Sequence, residues 1–312
     1  MTIVCDRHIP FLVEAVHSYW PDVQIYPMES EQITNAIIRE ADVLVVRTRT
    51  QINESLLQGT RVRLVCTATI GYDHIDTAYC ETHGIRWMSC PGCNAQAVCD
   101  YIEEALQDIE SSCAFLHSPL TIGIVGVGHV GTLVAETAKR KGYNILLNDP
   151  PKGIGVSLDV IAQNCDIITF HTPLDASTTH LCNKEFLHQC HPHAWIINAA
   201  RGGIVDEQAL LRSGHPYIID TWENEPHLNA EVLAHAFRAS MHIAGYSMEG
   251  KRNATQMCLD AISDTFSLSP IPPISTPVSE GDSVPGWLQR ITTQLKKQPE
   301  SFELLRENYA LR

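Results

Sequence analysis

The run TIGIVGVGHVG at residues 121–131 constrains this chain more than any other stretch. Thr121 to Val125 is short, apolar and β-branched, the pattern of a buried strand. Gly126, Gly128 and Gly131 follow as G-x-G-x-x-G, and Thr132 to Lys141 reads as a helix closed by Gly142. A second apolar strand, 145–147, leads to Asp149. Each part has a physical task. Gly126 permits a tight turn, Gly128 lets a pyrophosphate approach the backbone, and Gly131 lets helix and strand pack closely. The helix start offers free N–H groups and about half a positive charge to that anion. Asp149 is placed to accept hydrogen bonds from a ribose diol and to repel a 2′-phosphate, which favours NAD over NADP. Glycines also mark ordinary turns, so the argument rests on strand, turn, helix, second strand and acid in that order.

The remaining chain alternates in the same way. Before the glycine run, strands are expected at 3–5, 42–46, 62–66 and 85–88, and helices at 10–19, 30–40, 53–58 and 75–82. Such alternation implies a parallel sheet with helices on its faces. Pro91-Gly92 separates this sheet from the next, and a long helix is expected from Asn94 to Leu116. After Asp149, Ser157 caps a helix through Asn164. Strands follow at 167–170, 195–198 and 217–219, with helices at 183–190 and 206–212 between them. A long helix from Glu249 to Phe266 returns to the first sheet. Residues 267–286 hold Pro270, Pro272, Pro273, Pro277 and Pro285 with Gly281, a linker composition, and two short amphipathic helices near 287–297 and 300–311 close the chain.

The fold class expected is therefore α/β: a Rossmann dinucleotide-binding domain plus a flavodoxin-like parallel-sheet domain, with a small C-terminal helical appendage. The expected division is 1–92 with 248–266 for substrate, 93–247 for NAD, and 267–312 as linker and C-terminal segment. The chain's 312 residues suffice for two cores. A net charge of −14 argues against a general nucleic-acid or anionic-membrane surface, and no apolar run is long enough to span a bilayer. The 11 cysteines are scattered and odd in number, as expected of reduced thiols in the cytoplasm. Cys90 and Cys93 form C-x-x-C, but no second pair accompanies them. His188, Cys190, His191 and His193 cluster in a polar loop, and neither group is read as a metal site.

Ligands of such sheets sit beyond the carboxyl ends of the strands. Three segments there carry chemistry: Asn198-Ala199-Ala200-Arg201-Gly202-Gly203, Asp220-Thr221-Trp222-Glu223-Asn224-Glu225-Pro226, and Met241-His242-Ile243-Ala244-Gly245-Tyr246. An arginine, a carboxylate and a histidine are what oxidation of a 2-hydroxy acid needs. Guanidinium grips a carboxylate bidentately. Imidazole takes the hydroxyl proton, and a carboxylate beside it orients the ring. Each residue alone also reads as an ordinary salt bridge, turn or surface group.

In this order the glycine run, Asn-x-x-Arg-Gly, Asp-x-x-x-x-Glu-Pro and His-x-Ala-Gly resemble the D-isomer-specific 2-hydroxy-acid dehydrogenases. The stretches 46–48, 53–57, 67–74, 91–95, 149–151, 170–174 and 242–251 resemble a branch of that family acting on a phosphorylated acid. The resemblance implies Arg201, Glu225 and His242 as catalytic residues, with Glu225 rather than Glu223 as the partner of His242. It implies NAD held by Gly126, Gly128, His129, Val130, Gly131 and Asp149, with Thr172, Ala199, Ala200, Arg201, Asp220 and Gly245 on the nicotinamide side. Thr48, Thr69 and Tyr246 would contact substrate. A substrate with both carboxylate and phosphate needs a second cation beside Arg201, and Arg47 or Lys251 is placed to supply it. The implied partner is a small anionic phosphorylated hydroxy acid, in a homodimer. Three features depart from the family pattern: Met241 stands where proline is usual, the tail is short, and so is the segment between Asp149 and Ser157. A dehydrogenase for another D-2-hydroxy acid, such as phosphoglycerate, and a non-enzymatic NAD-sensing protein remain as alternatives.

Overall fold

The computed structural model describes residues 1–112, 119–275 and 286–310. The chain forms two compact units, 1–94 with 247–280 and 95–246 with 281–312. The first is built on five parallel strands: β1 (Thr2–Asp6), β2 (Gln24–Met28), β3 (Val43–Val46), β4 (Leu64–Thr67) and β5 (Arg86–Met88). Their order is β2-β1-β3-β4-β5, the flavodoxin-like arrangement. Successive side chains of a strand point to opposite faces, and here both faces are covered. Ile3, Cys5, Val43, Val45, Leu64 and Cys66 enter one core, under the helices Leu12–Tyr19 and Met248–Phe266. Val4, Leu44, Val46 and Val65 enter the other, under Asn35–Ile38, Glu54–Leu57 and Thr77–Thr82. This explains why the strands read as continuous apolar runs.

The second unit carries seven strands: β6 (Thr121–Val125), β7 (Asn144–Asp149), β8 (Ile154–Gly155), β9 (Ile167–Phe170), β10 (Trp195–Asn198), β11 (Tyr217–Ile219) and β12 (Arg238–Ala239). The order is β12-β11-β10-β9-β6-β7-β8, parallel except for β8, which pairs antiparallel with β7. Strand order reverses between β6 and β9. That is the switch point where a doubly wound sheet opens a crevice.

Several expectations are corrected. The helix expected at 30–40 is a 3-10 turn, Ser30–Gln32, followed by the short helix Asn35–Ile38. Ile33 and Thr34 lie between them, and β-branched residues hold a helix poorly. Strand β2 was not anticipated, and Pro27 sits inside it. It is an edge strand, where a missing N–H costs little. The helix after the glycine turn begins at His129 rather than Thr132. The helix expected at 94–116 runs from Ala95 to Ser112, and its last expected residues lie outside the described ones, as do Pro277, Gly281, Pro285 and Leu311.

The described parts of the C-terminal segment, 267–275 and 286–310, pack on the body of the chain. Leu268, Ile271 and Ile274 pack on the first unit's core. Trp287, Leu288, Leu295 and Phe302 enter the core of the second. The helix Trp287–Lys297 lies against β12, where the Thr292 hydroxyl accepts from the Ala239 N–H at 2.9 Å and donates to the Ala239 carbonyl at 3.1 Å. Tyr101 meets the Trp287 ring edge-on at 5.9 Å. These apolar contacts are made within the chain, so the tail needs no partner to bury them. Leu288 is fully buried. Leu288→Ala is expected to lower unfolding free energy by about 2–5 kcal/mol, the usual cost of emptying such a position. An unchanged denaturant midpoint would show that the tail adds nothing to this unit.

Candidate active site

Strands β10, β11 and β12 are neighbours in the sheet, so the three segments leaving their carboxyl ends are neighbours too. The first is pinned by Asn198: its amide donates to the Arg201 carbonyl at 2.9 Å and its carbonyl oxygen accepts from the Ala200 N–H at 3.2 Å. Arg201 itself is half-buried. A Cβ on Gly202 would lie 1.9 Å from the Trp222 carbonyl oxygen. Only glycine lets the arginine loop close on the next segment here.

On that next segment, Glu225 Oε1 accepts from the Trp222 N–H at 2.7 Å, while Oε2 meets His242 Nδ1 at 2.8 Å. Glu225 is thus the carboxylate at His242; Glu223 is bonded instead to His180 Nε2. With Nδ1–H donating to Glu225, Nε2 is left as the basic nitrogen. Burial pushes the Glu225 carboxyl up. The His242 hydrogen bond and charge, the Trp222 N–H and the charge of Arg306 outweigh this and hold it below the ordinary carboxylate range.

His242 adopts the left-handed region, with φ of 57°. A non-glycine residue there costs on the order of 1 kcal/mol and persists only where the surroundings over-determine it. Asp220 does so. Its carbonyl accepts from the His242 N–H at 2.9 Å. Its carboxylate accepts from the N–H groups of Ile243 and Ala244 at 2.8 and 2.9 Å, and from the Ser240 hydroxyl at 2.7 Å. Ser240 is bonded in turn to the Tyr101 hydroxyl at 2.9 Å. Asp220, expected beside the nicotinamide, is fully buried, with its carboxylate committed to the histidine loop.

The glycine turn lies at the switch point. Gly126 has φ of 90°, and a Cβ there would lie 2.7 Å from the His171 backbone, at the end of β9. A Cβ on Gly131 would lie 2.0 Å from the Gly126 carbonyl oxygen, whereas one on Gly128 would meet no protein atom. The room at Gly128 faces the start of the helix His129–Arg140, whose first N–H groups have no partner within the helix. Asp149 Oδ2 accepts from the Val127 N–H at 2.8 Å, so the acid braces the turn as well as ending β7. Lys152, which sequence reading passed over, donates to the Val127 carbonyl at 2.6 Å and lies 3.7 Å from Asp149. Thr172 follows β9, and its buried hydroxyl oxygen has no hydrogen-bond partner among the described residues. Burial pushes the neighbouring His171 imidazole down to about 3, so it is neutral at physiological pH. Ala199 is buried, and Ala200 and Gly245 are half-buried.

Tyr246 was expected to contact substrate. Its hydroxyl accepts a hydrogen bond from Arg306 Nε at 3.0 Å, a residue of the tail to which no role had been given. On the first unit, Arg47 Nε donates to the buried Asp6 carboxylate at 2.9 Å. Partial burial and then the like charge of Arg47 lower the Lys251 pKa, so the structure places these two cations in each other's field. Thr48 is exposed. Thr69 donates to the Gly71 carbonyl at 3.0 Å and meets the Thr67 hydroxyl at 2.6 Å. Cys90 and Cys258 approach to 3.8 Å between sulfurs inside the first core, where Cys90 also meets the Thr67 and Ala254 carbonyls.

Residues 109–244 match the D-isomer specific 2-hydroxyacid dehydrogenase, NAD binding domain. An erythronate-4-phosphate dehydrogenase of Bacteroides fragilis is 40% identical across all of this chain and 97% of its own length. The chain belongs to the erythronate-4-phosphate dehydrogenases. One from Pseudomonas fluorescens is 37% identical over 92% of this chain and 81% of its own. Among solved structures, an NAD+-bound 3-phosphoglycerate dehydrogenase of Entamoeba histolytica superposes with a TM-score of 0.71. It is 25% identical and covers 89% of this chain and 99% of its own. The protein is accordingly an NAD-dependent dehydrogenase with a Rossmann domain. Its own residues fit that cofactor. The space at Gly128, the open N–H groups of His129 and Val130, the acid at Asp149 and the unpartnered Thr172 hydroxyl are what a dinucleotide requires. Among the described residues, no helix is long and apolar enough to cross a membrane.

Near the Glu225–His242 pair lies a third carboxyl. The buried Glu207 accepts from the Glu223 N–H at 2.7 Å. Burial, then the charges of Glu223 and Glu225, push it from 4.5 to about 7 despite that bond. A carboxyl raised on folding stabilises the native state fully below its unfolded pKa and loses that contribution as pH rises through about 7. Glu207→Gln, which keeps an oxygen for the Glu223 N–H, is expected to raise stability at pH 8 by up to roughly 3 kcal/mol. The gain should vanish near pH 4.5. Thermal unfolding at the two pH values checks this, and a gain independent of pH would refute it.

Proposed function

We propose that this protein oxidises 4-phospho-D-erythronate at C2 to 3-hydroxy-2-oxo-4-phosphobutanoate, with NAD as oxidant, in pyridoxal 5′-phosphate biosynthesis. The observation that carries the reading is the His242–Glu225 pair at 2.8 Å, on the strand end beside the Arg201 loop, in a chain of this family. His242 Nε2 takes the proton of the C2 hydroxyl. Glu225 holds Nδ1–H and stabilises the imidazolium that forms. Arg201 grips the substrate carboxylate and polarises the reacting oxygen. Asp220 positions His242 by fixing its loop. When bound, NAD supplies the acceptor for the hydride that leaves C2. Gly126, Gly128, His129, Val130 and Gly131 receive its pyrophosphate, and Asp149 its ribose. Thr172, Ala199, Ala200 and Gly245 line the nicotinamide side. Thr48, Thr69 and Tyr246 contact the substrate. On the first unit, Lys251 and Arg47 are the cations assigned to its phosphate, and Asp6 already offsets much of the Arg47 charge. The ten described cysteines are free thiols, which supports a reducing, cytoplasmic setting.

The turnover test is NADH absorbance with 4-phospho-D-erythronate, 3-phospho-D-glycerate, D-erythronate and D-lactate. The first is expected to give the highest kcat/KM, and preference for another acid would overturn the substrate. His242→Ala is expected to cut kcat by about 10²–10⁴-fold, the contribution of a positioned acid–base group. NADH affinity by fluorescence titration should change less than about twofold, because the imidazole acts on the substrate oxygen. Loss of cofactor binding together with activity would make His242 a structural residue.

A further inference from the structure

We propose that Arg306 binds the phosphate of the substrate, so that the C-terminal segment completes the active site of its own chain. This rests on the reading above that the substrate is phosphorylated. The tail is tied to the strand that delivers the histidine. Thr292 clasps Ala239 in β12, and Lys296 donates to the Ala236 carbonyl at 2.6 Å. From that anchor the chain runs through the turn Pro299–Ser301 into the helix Phe302–Glu307, whose Phe302 is buried in the same core. Arg306 is thereby brought to Tyr246, four residues beyond His242 on the loop that follows β12.

The contacts of Arg306 leave it fit for an anion. Nε–H donates to the Tyr246 hydroxyl oxygen at 3.0 Å, and the guanidinium carbon stands 5.7 Å from the centre of that ring. The phenol accepts from the cation, so its own O–H is left to donate outward. Arginine and tyrosine together then present a charged fork and a hydroxyl, a donor set suited to phosphate oxygens. The only ion pair that Arg306 makes among the described residues is with Glu303, one turn back and half-exposed, at 3.5 Å. Such a pair is weak and easily exchanged for a doubly charged ligand. The charge of Arg306 also reaches Glu225, the acid that holds His242. Arg201 serves the carboxylate end of the substrate, so Arg306 is a further cation for the phosphate end. A phosphate monoester carries a charge of about −1.5 to −2 and three acceptor oxygens. Arg47 meets little of that charge, being held by Asp6.

The test compares wild type, Arg306→Ala, Arg306→Lys and Tyr246→Phe with 4-phospho-D-erythronate and with D-erythronate. In Arg306→Ala, the KM for the phosphorylated acid divided by that for D-erythronate is expected to rise at least tenfold. Inhibition by inorganic phosphate should weaken in parallel. Arg306→Lys should recover part of the loss, since it restores charge without the fork. Tyr246→Phe should move the ratio the same way but less. Thermal unfolding and NADH titration of each variant report folding and cofactor binding separately, and Arg306→Gln replaces any variant that fails to fold. An unchanged KM ratio, or a fall confined to kcat and equal for both acids, overturns the proposal and leaves Arg306 as support for Glu225. Failure of the wild type itself to oxidise the phosphorylated acid defeats the underlying reading, and is seen before any variant is made.

Discussion

The buried carboxylate of Asp220 is the contact on which the site depends. It sits at the end of β11 and gathers two backbone N–H groups and a hydroxyl from the segment that follows β12. A loop carrying a left-handed histidine would relax to a commoner conformation if its amides were free. With them bound in a dry interior, relaxation would leave an acceptor-only carboxylate without donors, which costs more than the strain. The imidazole is therefore held at Glu225 before any ligand arrives. Pre-organisation of this kind would spare the proposed reaction the ordering of its acid–base group.

The same economy governs the other end of the crevice. The turn after β6 packs on the backbone after β9, and Asp149 ties the turn to the end of β7. Three strand ends are thus locked around one helix start. The acid expected to read a ribose is also a brace for the loop proposed to meet the pyrophosphate. Substitution there disturbs two tasks together, a reason to separate binding from turnover when variants are measured.

Much of this was legible from residue types in order. The strand, glycine turn, helix and acid at 121–149 announced themselves, because each demands particular side chains or their absence. Glu225 was distinguished from Glu223 by the proline after it, and the structure puts Glu225 at His242. Other features were hidden. Strand β2 was not anticipated, and its Pro27 sits at an edge where the missing N–H is harmless. Glu207 is a first-turn acid of a helix, and burial, then the charges of Glu223 and Glu225, raise its pKa to about 7. Arg306 lies in a short amphipathic helix to which no site role had been given. Nothing in its neighbours along the chain announces Tyr246, sixty positions away.

The sequence by itself determined what is local or periodic: two α/β sheets, a dinucleotide turn and three strand-end segments with the chemistry for a 2-hydroxy acid. Backbone geometry and side-chain alternation act over a few residues, so composition and spacing suffice to read them. Only the tertiary structure decided which groups meet. It set the histidine loop on Asp220, Glu223 on His180, and the tail helix on β12 with its arginine against Tyr246. Those pairings depend on which strands lie side by side and on what burial does to charge, and neither quantity is carried by any short stretch of chain.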